Sequence, residues 1–264
     1  MTGGIKILAR IITAAVGIPI VLGALYIGGP VFLILLALVT FGAVFEFIRL
    51  LNLSLGFAVI ASGTIVFSYF CNLHWAIIPW EAMLFLYLII SASLLFVFLY
   101  GKLSFLQSAG TIFGGIYITV LASTLYLLRD LENGFFLTLA VLLITWGTDS
   151  GAFFVGKYAG KAKLAPAISP NKSWAGAWAG LVTGVIIAVF VGILMNENLL
   201  LFALWGLVAS VFDQVGDLCE SAFKRMAGVK DSGTILPGHG GFLDRIDSLL
   251  FTSTLSYIFF GMVL

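Results

Sequence analysis

The sequence predicts an all-α, polytopic integral membrane protein of about nine transmembrane helices, and three observations carry that prediction. Charged residues make up 9% of the 264-residue chain, where a soluble domain carries roughly a quarter. Apolar stretches long enough to cross about 30 Å of hydrocarbon as helices recur from end to end, with no long polar region that would fold separately. The basic residues also sort to one side. With helices placed as below, Lys6, Arg10, Arg49, Lys102, Lys157, Lys161, Lys163, Lys172, Lys224, Arg225, Lys230 and Arg245 fall on the side of the N-terminus, twelve of the 13 basic residues, and only Arg129 falls opposite. Lys and Arg gather on the cytoplasmic side of membrane proteins. The expected N-terminus and both long polar loops are therefore cytoplasmic, and the C-terminus lies outside. A formal net charge of +1 gives no ground for a nucleic-acid partner.

Windows of about 20 residues place the helices near 7–27, 30–51, 55–71, 82–100, 105–128, 135–157, 174–195, 199–224 and 244–263. The first follows Lys6 and Arg10 as "IITAAVGIPIVLGALYI"; no small-x-small cleavage site follows, so it reads as a retained helix, not a secretion signal. The breaks carry turn chemistry: "GGP" at Gly28 to Pro30, "LNLSLG" at Leu51 to Gly56, "ENG" at Glu132 to Gly134. Residues 1–134 thus hold about five helices, and 135–264 hold the rest together with two long polar loops. In the seventh span "GAWAGLVTG", Gly176 to Gly184, sets small residues four apart on one face, which suits close packing within the chain or across a homodimer. Cys71 and Cys219 fall toward opposite ends of their spans, too far apart for a disulfide.

Of the twelve acidic residues, Glu81, Asp130, Glu132 and Glu197 belong to outer loops or their edges. Glu46 stands three residues before Arg49 as a helix-surface pair. The other seven are Asp149, Asp213, Asp217, Glu220, Asp231, Asp244 and Asp247. At 1.5 Å per residue, Asp149 and Asp213 lie about 21 Å into the sixth and eighth spans from their outer ends. Asp244 and Asp247 open the ninth from the inner face. Three helices therefore bring carboxylates to one depth, and Asp213 with Asp217 (i,i+4) and Asp244 with Asp247 (i,i+3) each share a helix face. An ionisable group inside a membrane segment is expensive and marks a partner or a water-filled cavity; interfacial salt bridges to Lys224, Arg225, Lys230 and Arg245 are the plainer alternative. Crowded carboxylates call for a cation, and an all-oxygen site suits Mg²⁺. Asp213, Asp217, Asp244 and Asp247 are the candidate ligands, with Asp217 and Asp244 expected to share a divalent ion. Zinc has little to bind: His74 is on the outer side and His239 stands alone in its loop.

The two polar loops supply the opposite charge. In "GKYAGKAKLAPAISPNKSWAG", Gly156 to Gly176, four lysines precede Ser169, Asn171, Lys172 and Ser173 at the entrance to the seventh span, a natural phosphate site beside a helix N-terminus. Contact of Lys157, Lys161 and Lys163 with anionic headgroups is the competing reading. In the second loop, Lys230, Asp231, His239 and Arg245 interleave with Gly233, Gly238, Gly240 and Gly241, whose missing side chains let backbone amides approach a phosphate.

"SAFKRMAGVKDSGTILPGHGGFLDRID", Ser221 to Asp247, resembles the signature of the phosphatidate cytidylyltransferases, membrane enzymes that make CDP-diacylglycerol. That signature runs Ser-x-x-Lys-Arg, four residues, Lys-Asp, then His-Gly-Gly-x-x-Asp-Arg-x-Asp, and every fixed position is filled. "WGTDSGAFFVGKYAG", "SPNKSWAG" and "DQVGDLCES" also look like family segments, so the resemblance covers about the last 120 residues, and 135–264 becomes the catalytic region. The family usually carries Glu where this chain has Ala175.

The resemblance implies that CTP and phosphatidate are the substrates, CDP-diacylglycerol and pyrophosphate the products, and Mg²⁺ the cofactor, with a monovalent cation such as K⁺ as candidate second ion. It implies catalytic roles for Asp217, Asp244, Lys172, Lys224, Arg225 and His239. Substrate binding falls to Ser169, Asn171, Lys172, Ser173, Asp149, Ser221, Lys230, Asp231, Gly240, Gly241 and Arg245, at the cytoplasmic face of the inner membrane among membrane lipids. A cation or proton-coupled transporter is the alternative; it would place its acids near the midplane, often within inverted repeats, whereas these gather toward one face. The CDP-alcohol phosphotransferases carry an Asp-x-x-Asp-Gly-x-x-Ala-Arg core, which the Asp-x-x-x-Asp here does not match.

Overall fold

The structure, a computed structural model, describes residues 3–75, 79, 101–238 and 240–263. The helix expected near 82–100, Glu81 and His239 lie outside the described residues. Within them are eight helices: α1 Gly3–Ile27, α2 Gly29–Leu50, α3 Leu55–Trp75, α4 Phe105–Arg129, α5 Gly134–Ala159, α6 Trp174–Met195, α7 Leu199–Met226 and α8 Leu243–Val263. The first seven are long and apolar enough to cross a membrane, and α8 opens with Asp244, Arg245 and Asp247. The all-α membrane fold read from composition is the fold found.

Local chemistry sets the helix ends. Ser104 and Gln107 form a reciprocal capping box at the start of α4, and Asn198 accepts from the amides of Leu200 and Leu201 at the start of α7. Asn52, Asn133 and Asn196 all take positive φ in the turns, a conformation that Asn tolerates better than most residues.

One departure is a hairpin between α5 and α6, where the sequence suggests a plain loop. Strand β1 (Lys163–Ala165) pairs antiparallel with β2 (Ser169–Ser173), Lys163 opposite Ser173 and Ala165 opposite Ser169. Pro170 does not prevent this, because a two-stranded sheet leaves each strand one free edge.

The helices pack in sequence through α5, α6, α7 and α8, and α8 then turns back against α4 and α2. The broadest interface, α5 against α6, explains the small-residue stripe. A Cβ on Gly180 would stand 2.9 Å from the Thr148 carbonyl oxygen, and one on Gly184 would overlap Ser210 Oγ. The stripe therefore serves packing within the chain. Rings of Phe47 (α2), Phe113 and Tyr117 (α4), Phe223 (α7) and Phe251 (α8) meet edge to face with centroids 5.4–6.0 Å apart, tying the two halves of the chain together. Both cysteines are free.

Cross-links also define the two ends of the bundle. At one end Arg10 Nε donates to Gly238 O, Gln107 Nε2 to Leu51 O, and Arg225 Nε to Ile168 O. Both polar loops, the α2–α3 turn and the start of α1 thus share that end. Arg129 is at the other end, where its Nε donates to Leu25 O. Arg10 and Arg225 at one end and Arg129 at the other fall as the expected partition of basic residues has them.

Candidate active site

At the loop-bearing end lies a cavity of about 500 Å³. α5 contributes Asp149, Ala152, Phe153, Gly156 and Lys157; the hairpin adds Lys163, Asn171, Lys172 and Ser173; α6 adds Gly176 and Ala177, and α7 adds Gln214 and Asp217. Lys172 Nζ stands 2.6 Å from Asp217 Oδ2, and Ser221 Oγ donates to Asp217 Oδ1 at 3.2 Å. Ser173 is the N-cap of α6: its Oγ accepts from Gly176 N at 3.2 Å. The hairpin therefore delivers Lys172 into the cavity by the same turn that starts α6. Gly156, Gly160 and Gly176 permit this close approach, since a Cβ on any of them would press on Ser173 Oγ. Sequence reasoning passes over Gln214, whose Nε2 donates to Ala177 O across the cavity floor.

Asp149, Asp213, Asp217 and Asp247, from α5, α7 and α8, stand near enough to act on one another electrostatically, with Lys172 and Arg245 as the cations facing Asp149. Asp149 is open to the cavity, whereas Asp213 is fully buried. Thr252 Oγ1 reaches Asp213 Oδ1 at 3.4 Å, and Asp213 Oδ2 has no hydrogen-bond partner among the described residues. A buried carboxylate oxygen left so is costly, and a hard cation would satisfy it. No three acidic, histidine or cysteine side chains among the described residues converge as a preformed metal cage; Lys172 holds Asp217 instead.

Asp244 belongs to a second cluster. Lys224 Nζ is 2.6 Å from its Oδ1 and also pairs with Glu220. Its Oδ2 accepts from Ser232 N at 3.1 Å, Ser232 Oγ at 2.9 Å and Gly241 N at 2.8 Å. Both oxygens are thus engaged, and for Asp244 to ligate a divalent ion beside Asp217, as the sequence suggests, Lys224 would have to release Oδ1. Gly241, read as a phosphate-facing glycine, gives its amide to Asp244. Gly240 has φ +84° and bridges Leu236. Arg225 is exposed, its guanidinium donating to the carbonyls of Ile168 and Val229 and fastening hairpin and loop to α7. Lys230 and Asp231 are exposed, Arg245 is exposed on the Asp149 side, and Ser169 pairs in the sheet outside the cavity lining.

Glu46 is the principal residue that the sequence misplaces. Its expected surface pairing with Arg49 does not form: Glu46 is 2% exposed, and Arg49 Nη1 donates to Leu53 O. An acid inside an apolar span is itself the signal that identifies such a residue, but a basic residue three positions away supplies a simpler explanation.

A polytopic helical membrane protein with a carboxylate-and-lysine cavity at one end of its bundle is the class that fold and site define. The chain belongs to the cytidylyltransferase family, whose family model matches residues 8–263. It is 40% identical over 152 residues to a phosphatidate cytidylyltransferase of Staphylococcus saprophyticus, an alignment covering 57% of this chain and 58% of the relative. Proteins of the same name from Staphylococcus haemolyticus and Staphylococcus aureus strain COL align over the same shares at 39% and 40% identity. The chain thus matches less than two thirds of the length of these relatives.

Proposed function

We propose that this chain is a phosphatidate cytidylyltransferase, joining the phosphate of phosphatidate to the α-phosphorus of CTP with expulsion of pyrophosphate. The observation that carries the reading is the cavity at the helix ends, where Lys157, Lys163 and Lys172 stand opposite Asp149 and Asp217. A phosphate monoester has its second pKa near 6, so the nucleophile is already largely dianionic at neutral pH and no strong base is needed. The work left to the protein is to bring two highly negative groups together and to stabilise the leaving pyrophosphate. The lysines lining the cavity do the first, beside the capped N-terminus of α6. A site at the ends of membrane helices leaves the acyl chains in hydrocarbon while the headgroup meets a soluble nucleotide.

Asp149, Asp213, Asp217 and Asp247 are the set proposed to hold Mg²⁺. When bound, the ion would offset their mutual repulsion and attract the CTP phosphates. These four carboxylates outnumber Lys172 and Arg245, the cations facing Asp149, by two charges, which one divalent ion would balance; a monovalent ion such as K⁺ is a candidate only together with the added negative charge of the bound phosphates. The α6 stripe is occupied by α5 and α7, so a homodimer would have to use other faces of the bundle. The cavity is proposed to face the cytoplasm from the inner membrane.

Purified protein given CTP, Mg²⁺ and phosphatidate should release pyrophosphate, and no release would overturn the reading. In the same assay Lys172→Ala should keep the wild-type thermal midpoint and lose at least roughly tenfold in turnover, a fraction of what a fully buried electrostatic stabiliser contributes. Equal losses of stability and turnover would make Lys172 a structural residue. A cysteine placed at position 172 should react with an impermeant thiol probe only in inside-out vesicles; labelling from outside intact cells would reverse the orientation.

A further inference from the structure

Glu46 lies in the last turns of α2, far in sequence from the signature segment, yet it ends inside the loop that precedes α8. Its Oε2 accepts from Ser232 Oγ at 3.1 Å and from Leu243 N at 2.9 Å. The second bond satisfies one of the free amides at the start of α8, so a side chain of another helix does what an N-cap does. Its Oε1 has no hydrogen-bond partner among the described residues. The loop is shaped around this carboxylate: a Cβ on Gly233 would strike Oε1, one on Gly241 would strike Oε2, and Gly42, one turn earlier in α2, makes room for the Phe242 ring. Ser232 Oγ also stands 2.9 Å from Asp244 Oδ2. One hydroxyl, with a single proton to donate, is therefore held between Glu46 and Asp244.

We propose that Glu46 is a positioning residue. From the N-terminal half of the chain it sets the conformation of residues 232–233 and 241–243, and through Ser232 it orients Asp244 and the Lys224 that Asp244 holds. The glycines at 233 and 241 are required by this contact, since a Cβ at either would strike the Glu46 carboxylate. The effect on turnover rests on the cytidylyl-transfer reading; the hold on the loop does not. A displacement of about 1 Å in a positioned group costs on the order of a hundredfold in rate.

The experiment uses the full chain in detergent, comparing wild type with Glu46→Gln and Glu46→Ala by pyrophosphate release and by backbone hydrogen exchange. Glu46→Ala should lower kcat at least roughly tenfold with KM for CTP little changed. Glu46→Gln, which keeps one carbonyl acceptor, should recover part of that loss. Exchange should rise in 232–243 while α5 and α6 keep their protection. Unchanged kcat in Glu46→Ala, or exchange rising equally through every helix, would overturn the proposal. Should Glu46→Ala fail to accumulate, Glu46→Gln against wild type decides by the same two readouts. A wild type that releases no pyrophosphate sinks the function instead, and the exchange comparison still tests the hold on the loop.

Discussion

Turnover of Asp217→Asn should fall by on the order of a hundredfold or more, the scale expected when one preorganised electrostatic group is lost, while the protein still folds. Asn is close to isosteric with Asp, and the position tolerates it. Asp217 is 30% exposed on its side chain and faces the cavity, where its partners are Lys172 and Ser221. Removing its charge leaves no carboxylate stranded in an apolar interior; it even relieves repulsion from Asp149, Asp213 and Asp247. What is lost is the anionic partner that aims Lys172 and a cavity-facing carboxylate of the proposed Mg²⁺ set. The measurement is pyrophosphate release at saturating CTP across a Mg²⁺ titration, beside a thermal melt. Near-normal turnover at limiting Mg²⁺ would remove Asp217 from the ligand set.

Much of this arrangement is legible in the sequence, because the bilayer constrains it. Apolar length marks each described span, and the side on which a basic residue falls tells which helix ends lie together; Arg129, at the opposite end from Arg10 and Arg225, is the clearest instance. The carboxylates of α5 and α7 could be brought to one depth by counting residues, because helical rise is uniform. What could not be read is which partner each acid takes. Asp244 and Asp247 are i,i+3, yet Asp247 turns to the cavity acids and Asp244 to Lys224, Ser232 and Gly241. Helical spacing gives a face to within a turn, and that difference separates two clusters. Glu46 was hidden for another reason: its partners Ser232 and Leu243 are 186 and 197 residues away, and no local pattern encodes a contact made through tertiary packing. The β1–β2 hairpin is three and five residues long and interrupted by prolines, below what alternation can reveal.

The largest effect on stability should come from Lys224→Met. Lys224 is 9% exposed, and its ammonium lies between Glu220 and Asp244, whose side chains are 2% and 7% exposed. Methionine fills nearly the same volume but leaves two carboxylates facing each other without a cation. Breaking a buried pair in this way costs about 3–5 kcal/mol. At roughly 2–4 °C per kcal/mol for a chain of this size, the thermal midpoint in detergent should drop by roughly 6–20 °C, with turnover lost as well. Those two losses can be separated. Adding Glu220→Gln to Lys224→Met removes one of the stranded charges and should restore a large part of the midpoint. Turnover should not return, because Asp244 would still lack the cation that holds its Oδ1. If Lys224→Met melts with the wild type, the Glu220–Lys224–Asp244 cluster is not a buried electrostatic unit. If the double variant regains activity together with stability, Lys224 supports the fold and takes no part in the site.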